Sequence, residues 1–328
     1  MICAALLALT LFAFDTGSTV VRLALAVQLA CIAWHGWWIW PYTPLHRREV
    51  PDADDPDAPS VSIITANVLM PSHAARPLLS LVRQWSPDLL VTLETNEQWA
   101  SALAPLHADY PHRLACPLDN LYGMHLYSRL PIINPAIQFL VQDDIPSMHA
   151  MIKLGDHGPV RVHFLHPAPP SPTENEESTE RDAELLVVAR SVAGHDGPVI
   201  VAGDLNDVAW SATTRLFRKI SGLLDPRIGR GLFNTFHAQI PLVRYPLDHI
   251  FHSRHFTVRR LRRLPGFGSD HFAMFAELAM VDGEHGEATL QAQADDRALA
   301  TEKIDAADVD ASMVHTPTAP GSTTATAP

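Results

Sequence analysis

Val199-Ile-Val-Ala-Gly-Asp-Leu-Asn206 is the stretch that decides the fold. Three β-branched residues and an alanine form a short apolar run, the pattern of a buried strand. Gly203-Asp204-Leu205-Asn206 then closes it as a polar turn. Upstream, Arg181 to Val192 shows the apolar face of a helix, and Val160 to Leu165 is a second apolar run. Strand, helix, strand is the unit of an α/β domain. The alternation continues outward. Val61 to Thr65 predicts a strand, Ala74 to Trp85 an amphipathic helix stopped by Pro87, and Asp88 to Leu93 another buried strand. It persists from Val61 to about Met280.

Sites on α/β sheets collect where strands end, so the polar residues at those points are informative. Asn67 follows the first strand and Glu94 ends the run Leu89 to Leu93. His166 ends Val160 to Leu165, ahead of the prolines Pro167, Pro169, Pro170 and Pro172. Asp204 and Asn206 sit in the quoted turn. Asp248-His249-Ile250 opens another apolar run, and Ser269-Asp270-His271 introduces the last strand, Phe272 to Leu278. Carboxylate and amide oxygens suit a hard cation such as Mg²⁺ or Mn²⁺. With such a cation polarising a phosphoryl oxygen, a carboxylate to activate water and an imidazole to meet the developing charge, this set suits hydrolysis of a phosphate ester. Taken singly, Asp204 and Asn206 are ordinary turn formers, and Glu94 could cap the following helix. The functional reading rests on the six loops together.

Order and spacing together resemble the endonuclease/exonuclease/phosphatase superfamily over residues 60 to 280. The sharpest features are Gly203-Asp204-Leu205-Asn206 after a buried strand and the terminal Ser269-Asp270-His271, with Glu94 upstream. Tyr122 to Ile132 and Gly203 to Ser211 also look like sequence of that group. The resemblance implies an α/β fold, a four-layer α/β/β/α sandwich of two packed mixed sheets. It implies Glu94, Asn67 and Asp270 at the metal, Asp204 directing the attacking water, and Asn206 holding water or phosphate. It further implies His271 facing the phosphoryl oxygens with Asp248 as its carboxylate partner, and His166 on the opposite wall. One departure is Leu93, where this group often has Gln before the metal glutamate; this weakens a DNA-repair specificity and leaves the metal site intact. No organic cofactor is implied.

Among the remaining candidates, His249, His252 and His255 read as bystanders, and Trp85, Trp99 and Trp210 as core or pocket wall. Arg254, Arg259, Arg260, Arg262 and Arg263 suit either a basic rim that draws phosphate or a solvated strand face. The formal net charge of −12 argues against a polyanionic substrate less than it first suggests. Residues from Asp282 onward hold nine acids against Arg297 and Lys303, a net −7 that leaves only −5 for the rest. Cys3, Cys31 and Cys116 imply neither a disulfide framework nor a cysteine metal site.

Met1 to Phe14 is apolar but short of the roughly 20 residues that span a bilayer. Val20 to about Tyr42 is long enough, and Trp34, Trp37, Trp38, Trp40 and Tyr42 crowd its far end like an interfacial belt. The expectation is a membrane anchor of one or two helices over residues 1–45, with a cleaved signal peptide or a buried core helix as alternatives. An acidic, proline-rich linker is expected over 46–60, the catalytic domain over 61–280, and a disordered acidic Ala/Thr/Pro tail over 281–328. Placement in a bacterial inner membrane follows, with the side left open: His46-Arg47-Arg48 favours the cytoplasm, and acids follow at once.

The sequence therefore points to a membrane-anchored hydrolase of phosphate esters, phosphodiesters foremost, with nucleic acid or a lipid headgroup as substrate and no obligate protein partner. The alternative is a catalytically silent, membrane-bound binding module on the same scaffold.

Overall fold

A computed structural model describes residues 2–13, 17–155, 157–169, 178–284 and 290–318. Residues 1–48 and 227–232 make one compact unit, and 49–226 with 233–328 the other. The smaller unit holds α1 (Ile2–Ala13) and α2 (Thr19–Ile39), followed by one 3₁₀ turn, Trp40–Tyr42. Gln28 Nε2 donates to Thr10 Oγ1 at 3.0 Å, joining the two helices. The stretch Thr19–Tyr42 is 24 residues long and none of its most apolar window is buried. A buried core helix is thereby removed from the alternatives. α1, at 12 residues, is too short to cross a bilayer by itself.

The larger unit is built on two sheets. The first contains β1 (Ser60–Asn67), β2 (Leu89–Leu93), β3 (His112–Cys116), β4 (Met124–Ser128), β10 (Phe256–Arg263) and β11 (Met274–Met280). Its spatial order is β10-β11-β1-β2-β4-β3. The second contains β5 (Ile132–Gln138), β6 (Ser147–Lys153), β7 (Pro159–Leu165), β8 (Val199–Asp204) and β9 (Asp248–His252), in that order across the sheet. β1 runs parallel to β2 and β7 parallel to β8, the other pairings being antiparallel.

Alternation along the strands turns one face of each sheet inward. Val61, Ile63, Val91 and Leu93 meet Val162, Phe164, Ile200 and Ala202 in a core between the sheets. On the outer face of the first sheet, Leu78 and Val82 of α3 (Ala75–Trp85) cover Ile64, Leu90 and Phe275. α3 ends where Ser86 takes a left-handed conformation ahead of Pro87. A shorter helix, α4 (Glu97–Ala102), follows β2. On the second sheet, α5 (Thr179–Val192) and α6 (Ala212–Ser221) lay Leu185, Val188 and Phe217 over Leu165, Val201 and Phe251. Helix, sheet, sheet and helix give the expected four layers. Each large side chain moved out of water contributes about 1.5–3 kcal/mol, so the inter-sheet core is the main holding force.

Two stretches differ from their composition. Residues 49–60 are laid along β10 instead of hanging as a free linker. Glu49 accepts from Arg218 at 2.5 and 2.7 Å and from the Asp225 backbone N–H at 2.8 Å. Val50 joins the inter-sheet core, and the Ala53 N–H donates to Val258 O at 3.0 Å. β10 is a sheet edge, and an edge offers unpaired backbone groups that composition cannot reveal. The acidic tail, expected to lack order, carries α7 (Ala294–Asp305). Ala300 and Ile304, one turn apart, pack on Leu186 and Leu216. Asp296 pairs with Lys219, and Lys303 with Asp182, each at 2.8 Å. Residues 285–289 and 319–328 of that tail lie outside the described residues.

Candidate active site

Strand register alone brings most of the expected residues to one rim. Asn67 pairs with Leu93 across β1 and β2, so Glu94 emerges beside Asn67. Leu165 pairs with Gly203 across β7 and β8, so His166 emerges beside Asp204. Asp204 pairs with Asp248 across β8 and β9. The β7–β8 approach needs a glycine: Gly203 has φ +145°, and a Cβ there would come within 1.9 Å of Leu165 O.

The Asn67 side chain joins the two halves of the rim. Its Nδ2 donates to Glu94 Oε1 at 2.7 Å and to Asp204 Oδ2 at 3.1 Å, while its Oδ1 accepts from the Leu69 N–H at 3.1 Å. Glu94 Oε2 accepts from the Met70 N–H at 3.3 Å. Glu94 itself has φ +60°. A non-glycine residue in the left-handed region costs roughly 1–2 kcal/mol, and such strain persists where the surroundings over-determine it. Asn96, two residues on, is the helix cap, its Oδ1 accepting from Gln98 N and Trp99 N. The capping role that Glu94 could have filled is thus taken by Asn96.

His271 is held between two carboxylates. Its Nδ1 donates to Asp248 Oδ2 at 2.8 Å, and its Nε2 lies 3.5 Å from Asp204 Oδ2. Its backbone N–H donates to Ser269 Oγ, whose own proton goes to Asn67 O at 2.8 Å, tying the last loop to β1. His166 Nε2 stands 3.9 Å from Asp204 Oδ2, with the Tyr122 ring at 5.3 Å from the imidazole. Asn206, at φ +50°, donates Nδ2 to Pro167 O at 3.0 Å. One of its amide hydrogens therefore braces the His166 loop, leaving the other able to meet a phosphate oxygen and Oδ1 able to accept from water. The Asp270 carboxylate stands 3.3 Å from Ser269 Oγ and lies close enough to His271 to favour its charge. No contact between Asp270 and Glu94 is found among the described residues.

Burial and charge set the protonation states. Burial pushes Glu94 up to about 7, against the pull of the Asn67 amide. Burial alone would lower His271, but Asp204 and Asp248 on either side raise it to about 10. Burial would raise Asp204 too; His271 and His166 reverse this and hold it below the ordinary carboxylate range. Burial raises Asp248 as well, against the pull of His271, so without a cation the site holds a charged imidazole between Asp204 and Asp248, beside a Glu94 that titrates near neutrality.

Several supports were not singled out in the sequence. Arg181 on α5 donates Nη1 to Asn206 O at 3.0 Å, and His249 Nε2 bonds Asp207 O at 2.9 Å, so both clamp the Asp204–Asp207 turn. His249, read as a bystander, thus serves the turn without facing the cleft. Thr235 Oγ1 accepts from the Asp248 N–H at 3.2 Å. Only a rare pattern could have exposed them: a buried Arg in a helix, or a His directly after a site Asp.

Residues 64–271 match the model of the Endonuclease/Exonuclease/phosphatase family. No curated protein matches the chain in sequence. Solved structures match in fold. TDP2 of D. rerio, crystallised with a single-strand DNA product, has a TM-score of 0.55 at 18% identity, covering 67% of this chain and 99% of its own. The human Nocturnin catalytic domain with a bound sulfate has 0.56 at 17% identity, covering 71% and 98%. A protein of the same family name from Bacteroides thetaiotaomicron has 0.56 at 17% identity, covering 69% and 100%.

Proposed function

This chain belongs to the Endonuclease/Exonuclease/phosphatase family, and on that premise we propose that it is a membrane-anchored, Mg²⁺- or Mn²⁺-dependent hydrolase of phosphodiesters. The family consists of metal-dependent phosphoesterases. The observation that carries the finer reading is the Asn67 amide joining Glu94 to Asp204, beside the Asp248–His271 pair.

The donor set fits a hard divalent cation. Glu94 is a mostly buried carboxylate that forms no ion pair among the described residues, and its raised pKa measures the cost of that charge without one. Glu94 would hold the ion, with the Asn67 amide turned to offer its oxygen in place of the N–H that now faces Glu94, and Asp270 completing the set from the last loop. Asp204, Asp248 and His271 also group their donor atoms within 4.8 Å. That trio suits a cation less well: an imidazolium donating to a carboxylate has no lone pair on that nitrogen to give. When bound, the ion would polarise the phosphoryl oxygen and favour ionised water.

The chain's own groups account for the remaining chemistry. Asp204, kept ionised, offers an oxygen that orients the attacking water and draws off its proton. The Nε2–H of His271 points into the same space and would meet the charge growing on the phosphoryl oxygens. Asp248 fixes the ring orientation of His271 and supports its charge. His166 approaches from the far wall. Water is the nucleophile, and no covalent enzyme intermediate is required. The anchor is α2, whose length and exposed apolar surface support placement in a membrane.

The test is a panel of a chromogenic phosphodiester, plasmid DNA and phospholipid vesicles, each with Mg²⁺ and with chelator. Chelator-sensitive turnover of at least one is expected, lost in Asp204→Ala and in His271→Ala. Turnover that survives both substitutions rejects the roles assigned to Asp204 and His271. Correct folding without calorimetric Mg²⁺ binding would instead support the silent binding module.

A further inference from the structure

Residues 236–245 form a hairpin rooted in the site. The Ala238 N–H donates to Asp270 O at 2.6 Å, and Phe236 bridges to His271 with their rings 5.0 Å apart. The His237 N–H donates to Val243 O at 2.9 Å and the Phe236 N–H to Tyr245 O at 3.0 Å, so the two arms are paired. The tip is apolar and faces solvent: Ile240 is 46% exposed, Leu242 72%, Val243 41% and Tyr245 41%. Around it stand two guanidinium groups, Arg244 at 5.0 Å and Arg263 at 4.3 Å from the centroid of the Phe272 ring. Both donate only to backbone carbonyls, Ala238 O and Asn234 O, and neither meets a carboxylate among the described residues.

A tip of this composition has no reason to be displayed in water. Contiguous exposed apolar residues mark a surface that is covered in use, and the flanking arginines say with what. Apolar side chains reaching into an acyl boundary while cations sit at headgroup level describe binding to an anionic lipid surface. A nucleic acid would be served by the arginines and not by Leu242 and Val243. We propose that the 236–245 hairpin inserts into an anionic lipid surface and presents the Glu94–His271 cleft to phosphodiesters held there. The substrate class is then a phospholipid headgroup ester. This deepens the phosphodiester assignment above and rests on it, whereas insertion itself requires no catalysis.

The experiment uses the full chain, with Cys3, Cys31 and Cys116 replaced by Ala, reconstituted in bilayer nanodiscs of phosphatidylglycerol and phosphatidylcholine. An environment-sensitive fluorophore is attached through Leu242→Cys or, separately, through Asp109→Cys. Asp109 neighbours Tyr110, which bonds Pro87 O at the start of β2, the end away from the site. Quenching by lipids spin-labelled in the acyl chain is expected at 242 and not at 109, weakened when phosphatidylglycerol is omitted. Leu242→Glu should lower turnover of vesicle phospholipid at least tenfold and leave a soluble chromogenic phosphodiester within twofold. Absent quenching at 242 overturns the proposal, as does equal quenching at 109, which would mean that the anchor alone brings the whole domain to the surface. Plasmid DNA cleaved faster than any lipid, with Leu242→Glu without effect on either, overturns the substrate class. Since quenching is read in chelator, its failure is distinct from failure of the phosphodiesterase assignment, which the chromogen alone decides.

Discussion

Asp248→Asn removes one of the two carboxylates that flank His271 and changes little of the volume. In the metal-free protein, His271 stands at about 10 against an ordinary 6.5. That displacement corresponds to about 5 kcal/mol in favour of the charged ring. At an effective dielectric constant near 20, a charge at the 2.8 Å of Asp248 and one at the 3.5 Å of Asp204 contribute roughly 6 and 5 kcal/mol. Burial offsets about half of that sum, so losing the roughly 6 kcal/mol share of Asp248 while the burial remains should bring the imidazole down by about 4 pKa units, toward roughly 6. An Asn amide can also donate to Nδ1, which moves the neutral ring's proton to the wrong nitrogen. Turnover should therefore fall by about 10²- to 10⁴-fold, mainly in kcat. The titration is followed by NMR of the ring Cε1–H in chelator, assigned by its loss in His271→Gln; turnover is measured on a chromogenic phosphodiester with Mg²⁺. A midpoint that stays within half a unit of the parent, or a kcat within threefold, refutes the charge-clamp reasoning. A base whose pKa is raised on folding stabilises the protein fully below its unfolded value near 6.5, and that contribution disappears as pH climbs through about 10. Asp248→Asn should flatten this loss.

Further outcomes are expected elsewhere. Because Glu94 titrates near 7, calorimetry in buffers of different ionisation heat should show close to one proton released per Mg²⁺ bound at pH 6 and almost none at pH 8.5; Glu94→Gln should abolish the pH dependence. Burial raises Glu184 on α5 to about 8, and its Oε1 has no partner among the described residues. Its ionisation therefore costs stability increasingly between the unfolded value near 4.5 and about pH 8. Glu184→Gln should stabilise by a few kcal/mol, on the order of 5 at most, in denaturant unfolding at pH 9, and by almost nothing at pH 4.5. Gly203→Ala should prevent folding of the catalytic unit, seen as loss of near-ultraviolet dichroism, since the added methyl has nowhere to go against Leu165 O. Arg181→Met removes the support under Asn206 O and leaves buried Asp182 with Lys303 and hydroxyl partners; a loss of about 3 kcal/mol in unfolding free energy and a lower kcat at unchanged KM are expected.

Much of the site was legible along the chain because strand ends announce themselves. A β-branched run closing on Gly-Asp-Leu-Asn fixes both where β8 stops and that polar groups wait there; the same holds for Leu93-Glu94 and Leu165-His166. The supports were less legible. Arg181 looks like a solvated helix residue until α5 is seen pressed onto the Asp204 turn, and His249 looks idle until its ring is found under Asp207 O. The acidic tail failed as a sequence reading because its ordering depends on Lys219, Asp182 and an apolar strip on α5 and α6, all distant in the chain.

By itself, the sequence determined the alternation of strands and helices, the loops that end in Asn, Asp, Glu or His, and an apolar stretch long enough to cross a bilayer. These follow from local chemistry: side-chain periodicity, turn formers and run length. Only the folded chain decided that Asn67 bridges Glu94 and Asp204, that His271 lies between two carboxylates, and that an apolar hairpin tip stands at the cleft's edge. Those facts depend on register between strands far apart in sequence, and a slip of one residue would send each side chain to the opposite face.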